Sequence, residues 1–227
     1  MIVLDEAGVV APDPGGDVVV LRPTTLTLTE RRIAVIGANG SGKSTFARMI
    51  NGLVEPTEGR VLVDELDVQR DGAAVRRHVG FVFTDPAAQL VMPTVVEDVA
   101  LSLRRHHRDA RERRAAAQRV LDRFGLGELA DRSVHTLSGG QKQLLALASV
   151  LATEPSVLVA DEPTTLLDLR NSRAIGDLLM ALEQQVVVVT HDLELAARCD
   201  RVLVIDDARV VYDGSPADAV SHYRSLV

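Results

Sequence analysis

Short apolar runs rich in valine and isoleucine recur along this chain, separated by longer helix-like segments. Five runs are continuous rather than alternating: Ile33 to Ile36, Val79 to Phe83, Val157 to Ala160, Val186 to Val189 and Val202 to Ile205. Continuity predicts strands buried on both faces, as in a parallel sheet covered by helices. Shorter runs at Ile2 to Leu4, Val18 to Leu21 and Arg60 to Val63 lie near the turn-forming segments PDPGGD and EPTEG. They predict an antiparallel layer at one edge.

Between Pro93 and Ser149 the strand pattern stops. Thr94 with Glu97 forms a capping-box pattern that opens a helical segment through Leu103, and a second helix is predicted from Asp109 to Phe124, ahead of the break GLGELAD. The expected organisation is one α/β domain with its core in residues 1–84 and 150–227 and a helical subdomain inserted over residues 85–149. No internal repeat or low-complexity linker interrupts it.

Composition narrows the class. At 227 residues, with 46% hydrophobic and 25% charged residues, the chain can bury a full core and reads as a soluble globular protein. The single cysteine, Cys199, allows no internal disulfide and reads as a small buried hydrophobe in a reducing compartment. No apolar run reaches the ~18 residues of a membrane span, and the start MIVLDEAGVV lacks the basic opening of a signal peptide. A net charge of -7, with four Phe, two Tyr and no Trp, argues against a nucleic-acid partner. The exception is RRHHRDARERR, residues 104–114, a basic run in an acidic protein. Without an interleaved aromatic it reads as a solvated helical stretch.

Three predicted strands end in chemistry. GANGSGKST (Gly37, Ala38, Asn39, Gly40, Ser41, Gly42, Lys43, Ser44, Thr45) follows the strand RIAVI and matches G-x-x-x-x-G-K-[ST]. Its glycines let backbone amides turn toward phosphate oxygens at a helix start. Lys43 is then expected on the β- and γ-phosphates and Ser44 on Mg²⁺. In VLVADEPTT, Asp161 and Glu162 end another strand, so one carboxylate can face a metal while the other faces an attacking water. In VVVVTHD, His191 stands at the exit of a third. If these strands are neighbours, all three groups converge beyond their carboxyl ends.

LSGGQKQ, residues 137–143, is a different signal. Ser138 and Gln141 form a capping-box pattern worth about 1 kcal/mol, but Gly139 and Gly140 each cost up to about 1 kcal/mol relative to alanine in a helix. As helix architecture the motif gains nothing. Paired glycines make sense if an anion must approach the backbone closely, and the phosphate loop already serves one side of a triphosphate. The second anion site is therefore expected to serve a nucleotide held by another subunit.

These residues resemble the ATPase subunits of ATP-binding-cassette transporters over essentially the whole chain. GANGSGKST looks like the Walker A loop, LSGGQ the family signature, VLVADE the Walker B strand, TTLLD the D-loop and His191 the switch histidine. The resemblance implies a P-loop (RecA-like) core with an antiparallel edge layer and a helical subdomain, and ATP and Mg²⁺ as cofactors. It implies Lys43, Ser44 and Thr45 on phosphate and Mg²⁺, Asp161 on the metal, and Glu162 polarising the water. Ser138, Gly139, Gly140 and Gln141 would act across a homodimer interface, Asp168 would link the two sites, and His191 would sense the γ-phosphate.

Residues 79–103 further resemble the ATPases of energy-coupling-factor importers, and the segments FTDP and ADEPTTLLDLRN look most like the biotin-type subunit. That implies a peripheral protein at the cytoplasmic face of the membrane, a second copy of itself, a transmembrane coupling protein and a separate substrate-capture membrane protein. A cobalt, nickel or other vitamin importer is the alternative within the subgroup. A soluble non-transport protein of the family would usually bring a coiled coil or second cassette. The position of the family's Q-loop glutamine falls on Thr84, which shortens the reach toward Mg²⁺ or water and leaves open a non-hydrolysing nucleotide-binding scaffold. No aromatic stands near Val9 to Ala11, where the family often stacks adenine, so base selectivity is expected to be weak. The segment from Thr84 to Val99 is the expected docking surface for the membrane partner, with Asp85, Glu97 and Asp98 receiving basic residues.

Overall fold

The computed structural model describes residues 1–226. In chain order the elements are β1 (Ile2–Ala11), β2 (Val18–Leu28), β3 (Arg32–Ile36), α1 (Lys43–Asn51), β4 (Glu58–Val63), β5 (Leu66–Asp67), α2 (Gly72–His78), β6 (Val79–Val82) and α3 (Val95–Ser102). Then follow α4 (Ala110–Arg123), α5 (Gly139–Leu151), β7 (Val157–Asp161), α6 (Leu169–Ala181), β8 (Gln185–Val189), α7 (Leu193–Ala196), β9 (Arg201–Asp206), β10 (Arg209–Gly214) and α8 (Pro216–Leu226). The chain divides into two compact units. Among the described residues no helix is long and apolar enough to cross a membrane.

The first unit holds residues 1–81, 156–162 and 178 onward. Its larger sheet has the order β10-β9-β3-β8-β7-β6. The pairings β3 with β8, β3 with β9 and β7 with β8 are parallel. β3 and β7 are buried at every position, as the continuous apolar runs require. The smaller sheet, β2-β1-β4-β5, is antiparallel, and its strands run longer than the apolar cores that announce them. β10 is absent from the sequence expectation. It is an edge strand with alternating exposed and half-buried residues, paired antiparallel with β9 through a turn at Asp207 and Ala208, both in the left-handed region.

Buried Arg32 locks the base of this sheet. Its guanidinium donates to the carbonyls of Met180 and Gln184 at 3.0 and 2.8 Å and also to that of Leu182. A buried cation persists because carbonyl dipoles satisfy its donors.

The second unit holds residues 82–155 and 163–177. Residues 163–177 thus cluster with the helical segment rather than with the α/β core to which the sequence assigns them. α3 starts as expected: Thr94 N–H donates to Glu97 Oε2 at 3.1 Å in a complete capping box. α4 starts on Asp109, whose carboxylate accepts from Arg111 N–H and Glu112 N–H, both at 2.9 Å.

Cys199 is 6% exposed, and burial, with Asp200 beside it, pushes its thiol up to about 12. Thiolate is the reactive form, so native Cys199 should resist iodoacetamide at pH 8 under conditions that fully label the urea-unfolded chain. Because the folded thiol titrates higher than the free one, its contribution to stability is complete at neutral pH and declines as pH rises from 9 toward 12. Rapid native labelling at pH 8 would show a thiol in contact with solvent.

Candidate functional site

In the first unit the register of the parallel strands sets the site. Val189 at the end of β8 pairs with Val35 of β3 and with Asp161 of β7. β3 ends one residue later at Ile36, and the chain beyond all three strands leaves the sheet at the same end.

β3 runs into the loop at Gly37, which has φ 151° and would drive a Cβ into the carbonyl of Ile205. Gly42, at φ 107°, precedes α1 and offers no side-chain cap, and the first turn of α1 holds no acid. A Cβ at Gly42 would meet the carbonyl oxygen of Val20 at 2.6 Å. Only glycine fits either position. The uncapped start leaves amide donors for an anion. Val20, Gly40, Gly42, Lys43, Ser44 and Glu162 line a cavity of about 240 Å³ there. Asn39 and Gly40 are exposed and Thr45 is half-buried, while the buried Ser41 Oγ finds no partner among the described residues.

Lys43 is buried, and its Nζ donates to the carbonyl of Ala38 at 2.7 Å. Burial pushes its ammonium below the usual lysine range, while Glu162 and Asp161 pull it back. Ser44 Oγ donates to Asp161 Oδ1 at 3.0 Å. Asp161 is 1% exposed, and burial raises its carboxyl against the opposing pull of Ser44 and Arg48. Arg48 Nη2 lies 3.6 Å from Asp161 Oδ2. Glu162 sits at φ 53°, a left-handed conformation that costs a non-glycine residue of order 1 kcal/mol or more. Its Oε2 lies 2.7 Å from His191 Nδ1. The three strand exits thus yield two close pairs, Ser44 with Asp161 and Glu162 with His191.

The donor set suits a hard cation. A hydroxyl and a carboxylate oxygen within hydrogen-bond distance match Mg²⁺, which takes one or two protein oxygens and completes its shell with phosphate and water.

The second unit carries the remaining candidates. Ser138 caps α5 in a complete capping box, with Ser138 N–H donating to Gln141 Oε1 at 2.9 Å and Gln141 N–H donating to Ser138 Oγ at 3.3 Å. The two glycines differ. A Cβ at Gly140 would lie 2.6 Å from the side chain of Asn171, whereas one at Gly139 would find ordinary contacts at 3.8 Å and beyond. At Gly140 an added Cβ would require the Asn171 side chain to move, a contact the sequence does not disclose. Gly139 has no such contact. Asp168 is exposed, and its Oδ1 accepts from Asn171 N–H at 2.8 Å. Thr84 is half-buried just past β6, in a loop closed by Phe83 N–H donating to Gln89 Oε1 at 3.2 Å.

Of the three acids expected to face a partner, Asp98 needs correction and Asp85 and Glu97 lie at the surface. Asp98 is only 4% exposed. Its Oδ1 accepts from Val91 N–H and Met92 N–H at 3.0 and 3.2 Å, and its Oδ2 accepts from Ser149 Oγ at 3.0 Å. It ties the segment before α3 to α5 and is no surface charge. Glu97 is exposed but holds Thr94, and Asp85, also exposed, accepts from Ala87 N–H at 2.9 Å. Arg48, Val20, Asn171 and Ser149 escape a reading by motif, because each joins a site through tertiary contact.

A model of the family described as ABC transporter matches residues 21–165. The biotin transport ATP-binding protein BioM of Rhizobium etli is 47% identical over 208 residues, 92% of each chain. The energy-coupling factor transporter ATP-binding protein EcfA1 of Latilactobacillus sakei is 36% identical over 200 residues, 86% of this chain and 71% of that protein. Among solved structures, the ATP-binding cassette MJ0796, described as a dimeric post-hydrolysis state bound to ADP and Pi, superposes with a TM-score of 0.85 at 31% identity. The match covers 95% of this chain and 99% of that one.

Gly139→Ala should raise resistance to urea by up to about 1 kcal/mol through helix propensity, yet lower nucleotide turnover at least tenfold. Gly140→Ala should gain no stability, because of Asn171. A Gly139→Ala protein that keeps full turnover would remove the need for close approach at that backbone.

Proposed function

Because the chain belongs to the ABC transporter family and is one of its ATPases, we propose that it is the energy-coupling subunit of an energy-coupling-factor importer, driving uptake of a vitamin, biotin foremost, through a membrane partner. The observation that carries this reading is 47% identity with a biotin transport ATP-binding protein along nearly the whole chain, joined to a full set of hydrolytic side chains. As a peripheral subunit it would work at the cytoplasmic face of the membrane.

The side chains divide the work. The loop from Gly37 to Thr45 cradles the phosphates of ATP with its amides, and Lys43 supplies a desolvated positive charge to them. Ser44 and Asp161 hold Mg²⁺, which when bound neutralises charge on the β- and γ-phosphates. Glu162 accepts a hydrogen bond from the attacking water through one oxygen, while His191 orients the carboxylate through the other. Glu162, in a left-handed backbone conformation, lines the phosphate cavity.

A second copy completes the site. In the proposed dimer, Ser138, Gly139 and Gly140 of one protomer approach the γ-phosphate bound by its partner, and Asp168 connects the two sites. Every role is filled within one sequence, so both sites of a homodimer are competent. The transmembrane coupling protein docks on the segment from Thr84 to Val99, and a separate membrane protein captures the solute.

Glu162→Gln should lower ATP hydrolysis at least about a hundredfold while leaving ATP binding intact, and should abolish uptake of labelled biotin by cells that depend on this chain. Hydrolysis at the wild-type rate would take Glu162 out of its role. Biotin uptake unaffected by a hydrolytically dead variant would take biotin out of the reading.

The base end makes its own forecast. Val18 and Val19 are exposed, Val20 lines the phosphate cavity, and Ala11 faces Val18 across β1 and β2. Aliphatic contact does not distinguish purines by hydrogen bonding, so GTP should be hydrolysed within about threefold of ATP at saturation. A hundredfold preference for ATP would require a base-reading group elsewhere.

A further inference from the structure

Ser44 and Arg48 stand four residues apart on α1, so their side chains rise from one face of that helix on successive turns. α1 packs against β7, and both side chains reach the same carboxylate at the strand's end. Ser44 Oγ donates to Asp161 Oδ1 at 3.0 Å, and Arg48 Nη2 lies 3.6 Å from Asp161 Oδ2. Each oxygen is thus met by a different group of one helix, and the plane of the carboxylate is set at two points.

A basic residue in the last turn of a helix ordinarily needs no explanation beyond the helix dipole. The dipole asks only for positive charge near the last carbonyls, and it would leave the guanidinium pointing into solvent. Here the guanidinium turns instead toward an acid that is 1% exposed. With the Arg48 side chain 44% exposed, the pair adds little to stability. Its value lies in orientation. Mg²⁺ demands near-ideal octahedral geometry at about 2.0 to 2.1 Å, so a ligating oxygen that wanders binds it poorly.

We propose that Arg48 is a positioning residue for the metal site: by holding Asp161 Oδ2 it fixes the plane of the carboxylate, so that Oδ1 stays on the side of Ser44, where the metal is received. The proposal rests on the assignment of Ser44 and Asp161 to Mg²⁺ above and adds a third side chain that acts through Asp161. Ser44 gives its own oxygen to the metal, which weakens its hold on Oδ1. The contact of Arg48 is with the other oxygen and does not compete. Outer partners of ligating groups typically change metal affinity about 10- to 100-fold when removed.

The full chain, in excess over a non-hydrolysable ATP analogue so that all analogue is bound, is titrated with Mn²⁺, and free Mn²⁺ is read by electron paramagnetic resonance. Arg48→Met should weaken Mn²⁺ binding at least about tenfold, with Arg48→Lys between it and wild type. Both variants should bind the analogue in EDTA as wild type does and keep the wild-type unfolding midpoint. Hydrolysis by Arg48→Met should recover as Mg²⁺ is raised, a change in the Mg²⁺ requirement more than in the maximal rate. Mn²⁺ binding by Arg48→Met equal to that of wild type overturns the proposal and leaves the metal assignment standing. An equal loss of analogue binding in EDTA also overturns it, because Arg48 would then support the phosphate loop. Failure of the wild-type complex to bind Mn²⁺ removes Ser44 and Asp161 from the metal, and the proposal with them.

Discussion

The parallel register of β3, β8 and β7 is the constraint on which the hydrolytic site depends. Val189 faces both Val35 and Asp161, so the phosphate loop, the acid pair and the histidine emerge at one level from three adjacent strands. A slip of one residue in any pairing would turn its side chains to the opposite face of the sheet. Near-complete burial of these strands prevents it, because a slip would rearrange apolar contacts on both faces. Ser44 and Asp161 can then meet at 3.0 Å, and Glu162 and His191 at 2.7 Å, although 117 and 29 residues separate them.

Within the helical unit a single buried carboxylate does comparable organising work. Asp98 binds two consecutive backbone amides ahead of α3 and a hydroxyl on α5, the helix capped by Ser138. A buried charge held by three donors is satisfied, and removing any donor would leave part of it unpaired at a cost of about 1 to 3 kcal/mol. The segment proposed to meet the membrane partner and the helix proposed to meet a neighbour's nucleotide are thus joined through one side chain.

Charge behaves differently in the sequence and in the fold. Counted along the chain, residues 85–98 look acidic, yet their acids serve as caps and as a buried tie. The arginines of residues 104–114 look like a solvated helix face, and Arg104, Arg105, Arg108 and Arg111 are indeed exposed. An acid near a helix start is drawn to amide donors it can reach locally.

The buried strands of the larger sheet, the phosphate loop, the capped helix starts at Thr94, Asp109 and Ser138, and the acid pair at 161–162 were legible from residue order, because each depends on neighbours within about one turn or one strand. Continuous valine runs announce burial on both faces, and capping residues announce helix starts by offering acceptors to amides two or three residues ahead. What residue order left undecided depended on contacts between distant segments. Edge strand β10 alternates too weakly to declare itself, Gly140 is explained by Asn171 rather than by a visiting anion alone, and Asp98 turned inward because Ser149 and two amides wait for it there. Local propensity fixes which elements form and where they start, but burial and the pairing of polar groups across the chain decide which side chains remain available for a ligand or a partner.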